Sequence, residues 1–382
     1  MREVYLDNAA TTPTDPSVVA TISDQLTNNW GNASSLHGFG RKARAVLDES
    51  RQVIASSINA DEDEIIFTSG GTESNNTAIR QVAKRYKSHG THIITTKIEH
   101  PSVLRPMELL EREGFQVTYL DVDQNGLINL DDFKKALDDQ TILVSIMMGN
   151  NEVGSHMPIK EIGDILKDHQ AIFHTDAVQA FGLLDIDVKR DHIDLLSTSA
   201  HKLNGPKMTG FLYKNRNVNF DSFILGGEQE DKRRAGTENV ANIAGFAQAV
   251  KLLGNEHKYD LQKKYMHFKE IIMQQLKAAD IEFEVNGSVD ENNVQHVFNI
   301  WLKGLSTYVM QTNLDLAGIA ISGGSACTAG SLEPSHVLTA MYGSKSPRIS
   351  ESIRISFGKI TTEDDVNYFC EQLITIIKRL TK

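Results

Sequence analysis

Short apolar runs alternate with longer amphipathic stretches through the first two thirds of the chain. The runs predict strands at residues 64–68, 92–96, 116–120, 142–147, 172–175, 195–199 and 210–213. The stretches between them have helical periodicity, as in residues 78–86, where the apolar positions fall on one helical face. Strands that alternate with helices favour an α/β fold with a mostly parallel sheet that is flanked by helices. Such a sheet binds its ligand at the C-terminal ends of its strands.

The pattern changes after about residue 255. A charged helix is predicted at residues 255–279, followed by strands at 297–301 and 352–357 and by a last helix from residue 363. We therefore interpret residues 13–255 as a large domain, and residues 1–12 together with 256–382 as a smaller α+β domain.

Composition and charge restrict the classes of partner. Hydrophobic residues make up 40% of the chain and charged residues 23%, which is ordinary for a globular protein. The net charge of −11 argues against direct binding of nucleic acid, which favours basic surfaces. We expect no membrane segment and no signal peptide, because the apolar runs are short and the N-terminus lacks an apolar core. Two cysteines give no disulfide framework, which predicts a cytoplasmic protein.

Glycines and polar residues follow several of the predicted strands. The glycine turn at 69–71 leads from a strand into a helix, which would bring backbone N–H groups close to an anion. The alternative is an ordinary turn in which Thr72 caps the helix. Asp176 ends another strand, where a buried acid could hold a protonated ring nitrogen, although it could equally cap the next helix. His100 and Asn151 follow two further strands.

A lysine and a cysteine carry the candidate covalent chemistry. Lys202 follows a strand rich in serine and threonine, and a lysine there can form a Schiff base with a carbonyl cofactor, although most lysines are solvated surface charges. Cys327 lies among small residues and is predicted to be exposed and reactive. Cys370 falls on an apolar helical stripe and is predicted to pack in a core. An amine and a thiol together indicate covalent chemistry in two stages.

No metal site is predicted. Residues 121–132 resemble a calcium loop, but the last position is an aspartate rather than a glutamate and a strand is predicted before it. We interpret this segment as an Asn-Gly turn. Spacings typical of zinc sites are absent from the sequence.

Taken together, these segments resemble the class V aminotransferase fold family, and within it the cysteine desulfurases of the NifS/IscS type. Each motif is weak alone, but the ordered set is specific and extends over essentially the whole chain. The further motifs that carry the resemblance are YLDNAATT at 5–12, GNASSLH at 31–37, RAGTEN at 234–239, SGGSACTAGS at 322–331, LEPSH at 332–336 and IRIS at 353–356.

The resemblance implies the transferase fold type I of pyridoxal 5′-phosphate (PLP) enzymes. Lys202 would carry PLP, His100 would stack on its ring and assist proton transfer, and Cys327 would be the catalytic thiol. Asp176 would pair with the ring nitrogen, and Gln179 would form a hydrogen bond with the ring oxygen. The residues that would bind the cofactor are Gly71, Thr72, Asn151, Asp176, Gln179, Ser199, His201, Lys202 and, from the second subunit of a homodimer, Thr237. The residues that would bind the substrate carboxylate are Asn151 and Arg354.

The implied reaction converts L-cysteine to L-alanine and leaves a persulfide on Cys327, carried by a loop at about 322–333. The persulfide would pass to an iron–sulfur scaffold or to a tRNA-thiolating protein. The chain stops soon after its last predicted helix, whereas IscS-type enzymes carry a longer tail that helps to dock the scaffold, so both acceptors stay open. Ala33 and Met208 replace a usual proline and a common glycine, which would alter loop rigidity rather than chemistry. The alternatives are another PLP enzyme of this fold, such as an aminotransferase or selenocysteine lyase, and a sulfur carrier without enzymatic activity.

Overall fold

The structure, a computed structural model, describes residues 2–323 and 334–381, apart from the side chains of residues 255–257. The strands, in chain order, are β1 Val4–Tyr5, β2 Ile65–Thr68, β3 His92–Thr96, β4 Gln116–Leu120, β5 Thr141–Ser145, β6 Ile172–Asp176, β7 Leu195–Ser197, β8 Gly210–Lys214, β9 Glu284–Val285, β10 Val297–Trp301, β11 Ile319–Ala320 and β12 Ser352–Ser356. The helices are α1 Pro16–Asn28, α2 Gly38–Ser56, α3 Gly71–Tyr86, α4 Pro101–Arg112, α5 Leu130–Ala136, α6 Ile159–Leu166, α7 Gln229–Lys232, α8 Val240–Lys251, α9 Asn255–Ala278, α10 Thr307–Leu316, α11 His336–Tyr342, α12 Arg348–Glu351 and α13 Glu363–Leu380.

The large sheet has seven strands in the order β2-β8-β7-β6-β5-β3-β4. Neighbouring strands are parallel except around β8, which is antiparallel to both β2 and β7. The parallel strands therefore end at one edge of the sheet, where the sequence predicts the site.

Alternate residues of the sheet enter two different cores. Ile66, Ile93 and Leu143 pack with α3 and α4 on one face. Their chain neighbours Phe67 and Ile94 pack on the opposite face, in the core that includes α2 and α8. Because successive side chains of a strand point to opposite faces, a sheet covered on both sides requires these continuous apolar runs. The predicted mostly parallel α/β sheet is confirmed.

A third core lies between α9, α13 and a three-stranded antiparallel sheet in the order β12-β10-β9. The N-terminal strand β1 pairs in parallel with β11, and Asp7 bridges to Ser356 at the end of β12. Cys370 is fully buried in this core, and burial raises the pKa of its thiol to about 12, as expected for a packing residue. The domain boundaries at residues 12 and 255 stay a prediction.

One loop prediction can be compared with the structure. Residues 121–128 form a turn in which Asp123 accepts hydrogen bonds from the N–H groups of Asn125 and Leu127, and Gly126 has a φ of 75°. The predicted Asn-Gly turn is therefore present. None of the helices described is long and apolar enough to cross a lipid bilayer.

Candidate active site

A cavity of about 860 Å³ lies at the C-terminal ends of the parallel strands, beside the N-terminal segment and β12. Most of the predicted site residues line it, namely Gly71, Thr72, His100, Asn151, Asp176, Gln179, Ser199, His201, Lys202 and Arg354. Thr237 is exposed and does not line the cavity of its own chain. Cys327 lies outside the described residues. The catalytic and binding roles of all these residues stay predictions.

The glycine turn between β2 and α3 forms a closely packed part of the cavity wall. Gly70 has a φ of 138° and stands at the N-cap of α3, so the alternative in which Thr72 caps the helix is wrong. A Cβ atom on Gly71 would lie 2.7 Å from Cγ2 of Val178, and one on Gly210 would lie 2.7 Å from Cα of Gly70. The close packing leaves room only for backbone, and the N–H groups in the first turn of a helix are suited to bind an anion.

Ser199 and His201 also line the cavity, and Oγ of Ser199 would lie 3.3 Å from a Cβ atom on Gly70. Burial, with the nearby charges of Lys202 and Lys207, lowers the pKa of His201 to about 4, so its imidazole is neutral at pH 7. Its Nδ1 is 3.0 Å from the hydroxyl of Thr11. Hydroxyl and imidazole groups beside a helix N-terminus form a donor set that suits a phosphate.

Asp176 ends β6 and is buried. Its Oδ2 accepts a hydrogen bond of 2.7 Å from Nδ2 of Asn75, and its Oδ1 accepts one of 2.9 Å from the N–H of Val178. It therefore caps the following turn and also has lone pairs left for a cation. Asn75 also donates to the hydroxyl of Ser102 at 2.8 Å. The sequence prediction missed Asn75, although its place one turn into α3 is a usable signal.

His100 is the N-cap of α4, and its Nδ1 accepts a hydrogen bond of 3.1 Å from the N–H of Ser102. Burial lowers the pKa of His100; Asp176 opposes this change, and the electrostatic effects of Lys202 and of His336 add to it. Because Nδ1 is an acceptor, the neutral ring carries its proton on Nε2. The cavity is therefore lined by a neutral imidazole that can donate through Nε2.

The N-terminal segment holds the amine of Lys202. Its Nζ donates to the carbonyl oxygens of Ala9 at 2.5 Å and of Ala10 at 2.8 Å. The carbonyl of Ala9 also accepts a hydrogen bond of 3.0 Å from Nε2 of Gln179. Sequence reasoning missed both alanines, because a backbone carbonyl leaves no signal in the identity of its side chain.

Arg354 is almost fully buried in β12. Its Nη2 donates to Oδ1 of Asp7 at 2.7 Å, and its Nη1 donates to the backbone carbonyl of Asn151 at 3.0 Å. The carboxylate of Asp7 compensates the burial of the guanidinium. The sequence prediction names Arg354 and Asn151 but misses Asp7.

Residues next to segment 324–333 contact Arg354, which lines the cavity, and two residues adjacent in sequence to the lining residues His100 and Asn151. Ser322 exchanges two backbone hydrogen bonds with Arg354, at 3.2 and 2.7 Å. On the other side, the hydroxyl of Ser335 donates to Oε2 of the buried Glu152 at 2.5 Å, and Nε2 of His336 donates to the carbonyl of Glu99 at 2.8 Å. The chain on both sides of the predicted sulfur-carrying segment is thus tied to the site.

The residues of the cavity fit PLP. An anion site lies at the N-terminus of α3, a buried carboxylate stands at the end of β6, and a lysine amine opens onto the same space. These three groups match the phosphate, the basic ring nitrogen and the aldehyde of one cofactor. Groups that could hold a metal are absent among the described His, Cys, Asp and Glu side chains.

Comparisons with known proteins show the family of this chain. The model of the aminotransferase class V family matches residues 4–369. A protein of Bacillus subtilis (strain 168) that carries the name IscS 1 is 54% identical over 381 residues, which cover 100% of each chain. The cysteine desulfurase IscS of Clostridium botulinum (strain Hall) is 43% identical over 379 residues, 99% of this chain and 95% of the relative.

A solved structure of a related protein has the same fold. A NifS-like protein superposes with a TM-score of 0.92 at 32% identity, covering 99% of this chain and 100% of the other. The fold and the resemblance inferred from the motifs are confirmed. The chain belongs to the aminotransferase class V family of PLP-dependent enzymes, and within it to the cysteine desulfurases of the NifS/IscS type.

Proposed function

We propose that this protein is a PLP-dependent cysteine desulfurase that converts L-cysteine to L-alanine and leaves the sulfur as a persulfide on Cys327. The observation that carries the proposal is that Lys202, Asp176 and Arg354 meet at one cavity, in a chain of this family. An amine, a buried acid and a buried guanidinium are the groups that an amino-acid substrate on PLP requires.

Each group at the cavity has a role in binding. The first turn of α3, with Gly71, Thr72, Ser199 and His201, would hold the phosphate, together with Thr237 of the partner subunit in a homodimer. Asp176 would hold the protonated ring nitrogen, and the planar fork of Arg354 would hold the substrate carboxylate beside Asn151.

Bound PLP supplies an electron sink for bond changes at the α-carbon of the substrate. Lys202 would take the proton from that carbon, and the Nε2–H of His100 would assist proton transfer. The thiolate of Cys327 would attack the sulfur of the substrate, so that an S–S bond forms while the C–S bond breaks. The electron pair of the C–S bond stays with the carbon skeleton, which takes up one proton at its β-carbon, regains at its α-carbon the proton held by Lys202, and leaves as alanine.

The persulfide would pass to an acceptor protein, either a tRNA-thiolating protein or an iron–sulfur scaffold. With a net charge of −11, the protein itself is poorly suited to bind nucleic acid. We infer a cytoplasmic enzyme, because a reactive thiol that shuttles sulfur works in a reducing compartment.

The first experiment measures the products of the PLP-loaded enzyme with L-cysteine. We expect alanine and, after mass spectrometry, a persulfide on Cys327. The control variant Cys327→Ser should keep the visible absorbance of bound PLP and lose the persulfide. Alanine formation by this variant at the wild-type rate, or amino transfer that depends on an added keto acid, would contradict the proposal. Labelled cysteine then identifies which acceptor protein takes the sulfur.

A second experiment tests the shared site. Subunits that carry Lys202→Ala and subunits that carry Thr237→Ala are mixed to form hybrid dimers. If Thr237 serves the partner's cofactor, one site of each hybrid has both residues intact and activity returns. If Thr237 acts within its own chain, neither site is intact and the mixture stays inactive.

A further inference from the structure

The side chain of Gln179 is held at both ends. Its Nε2 lies 3.0 Å from the carbonyl oxygen of Ala9, and its Oε1 lies 2.8 Å from Nε2 of His296. Gln179 lines the cavity and reaches it from the turn after β6, whereas His296 precedes β10 of the smaller sheet. The contact therefore joins two parts of the chain that are 117 positions apart.

The two contacts allow only one orientation of the amide. The carbonyl of Ala9 is an acceptor and must receive an N–H, so the nitrogen of Gln179 faces Ala9. The oxygen of Gln179 then faces His296, whose Nε2 must carry the ring proton and donate it. The amide nitrogen has two hydrogens, and only one is used by Ala9.

His296 is suited to keep this arrangement at all working pH values. Its side chain is buried, and burial lowers its pKa to about 3, with the positive charges of Lys269, Lys202 and Arg354 acting in the same direction. The ring is therefore neutral, and its single proton is on Nε2. Its Nδ1 has no hydrogen-bond partner among residues 2–323 and 334–381. The hydrogen bond of the His296 side chain within those residues is therefore the one from Nε2 to Gln179.

We propose that His296 is a positioning residue that fixes the amide of Gln179 so that its second N–H faces the cavity and donates to the ring oxygen of PLP. The inference rests on the proposed function, in which Gln179 meets that oxygen. Without His296 only the carbonyl of Ala9 still selects the orientation of the amide. The orientation that presents the oxygen of Gln179 to the ring oxygen then becomes more populated, and it replaces a hydrogen bond by repulsion between two acceptors.

A matched pair of variants tests this role. His296→Gln keeps an N–H donor at the end of a side chain of similar reach, whereas His296→Met has a similar shape and no donor. We expect His296→Met to weaken PLP binding about three- to tenfold, which corresponds to one neutral hydrogen bond, and to shift the visible band of bound PLP. His296→Gln should restore both the affinity and the band. Equal losses in the two variants would show that shape, not the donor, matters and would overturn the proposal.

A double variant tests whether His296 acts through Gln179. In Gln179→Met the amide is gone, so adding His296→Met should change the dissociation constant of PLP and the band no further. If His296→Met has the same effect with and without the amide, His296 does not act through Gln179 and the proposal fails. Thermal unfolding of each variant shows whether the changes come from a loss of folded protein.

These measurements do not depend on desulfurase activity. An enzyme that binds PLP but forms no alanine would refute the proposed function, whereas the pair His296→Gln and His296→Met would still give a result. Conversely, a fully active desulfurase in which the two variants behave alike would refute only the positioning role.

Discussion

The ion pair between Arg51 and Glu230 gives the sharpest prediction about stability. The carboxylate of Glu230 accepts hydrogen bonds from Nη1 and Nη2 of Arg51, at 2.9 and 2.7 Å, and from the N–H of Phe67 at 3.0 Å. Only 9% of the arginine and 2% of the glutamate side chain are exposed. Because β2 is an edge strand, the N–H of Phe67 has no neighbouring strand on that side to bond to. The carboxylate of Glu230 accepts its hydrogen bond instead.

The ion pair lies at a strained segment of backbone. The φ angles of Glu230, Asp231 and Lys232 are 48°, 54° and 65°, in the left-handed region that favours glycine. Removing one partner of a buried pair leaves an uncompensated charge and costs about 3–5 kcal/mol. We expect Glu230→Gln to lose about 3 kcal/mol, because the amide oxygen at the place of Oε2 can still accept two of the three hydrogen bonds, while the amide nitrogen at the place of Oε1 faces the donor Nη2 of Arg51.

The assay is urea unfolding of the PLP-loaded enzyme at pH 7, followed by tryptophan fluorescence and circular dichroism. The matched control is Glu228→Gln, since Glu228 pairs with Lys232 at the surface, with exposures of 79% and 72%. That variant should lose less than about 1 kcal/mol. If the free energy of unfolding of Glu230→Gln falls no further than that of Glu228→Gln, the buried pair does not stabilise this edge and the reasoning is wrong.

Three further predictions concern a buried lysine and the cavity. Burial lowers the pKa of Lys269 from 10.5 to about 7, so unfolded chains bind more protons than folded ones between these values. The stability advantage of Lys269→Met should therefore be largest below pH 7 and shrink by about 1.4 kcal/mol per pH unit above it, as measured by unfolding at pH 7 and 9. Asp176→Asn should lower kcat/KM for L-cysteine about a hundredfold, since a buried charge pair contributes about 3 kcal/mol, and an unchanged value would exclude its pairing with the ring nitrogen. Arg354→Lys should raise KM about tenfold with a smaller effect on kcat, because an ammonium lacks the bidentate fork; a change in kcat alone would contradict this role.

The large sheet was predictable because its signal is local. Each strand is a continuous apolar run between helical patterns. Because such a strand is buried on both faces, its residues are apolar at successive positions rather than at every second one. The limits of β5 and β7 differ from the prediction, which extends them to residues 147 and 199. After Ser197 the chain passes into a short turn at Ala200–Lys202 instead of continuing as a strand. Sequence alone could not set this limit, since the hydroxyl-rich stretch suits either conformation.

The side chains that meet at the cavity were also largely predictable, because each one follows a strand and carries a recognisable chemistry. Their supporting partners were not. Asn75 and His296 reach Asp176 and Gln179 from distant parts of the chain, at separations of 101 and 117 positions. An asparagine or a histidine has many ordinary uses, and only the closed fold shows which group it contacts.

The N-terminal segment shows why a motif can be recognised without its physical role. YLDNAATT contributed to the family resemblance and was expected only to complete the smaller domain. In the structure Asp7 pairs with Arg354, while the carbonyls of Ala9 and Ala10 hold Lys202. One short segment therefore orders both the proposed carboxylate-binding arginine and the proposed PLP-binding lysine. Since carbonyls act through backbone position, what matters at Ala9 and Ala10 is the path of the chain, which is set by the pairing of β1 with β11 and by the bridge from Asp7 to Ser356. The site thus depends on contacts between the two ends of the chain, which no local pattern records.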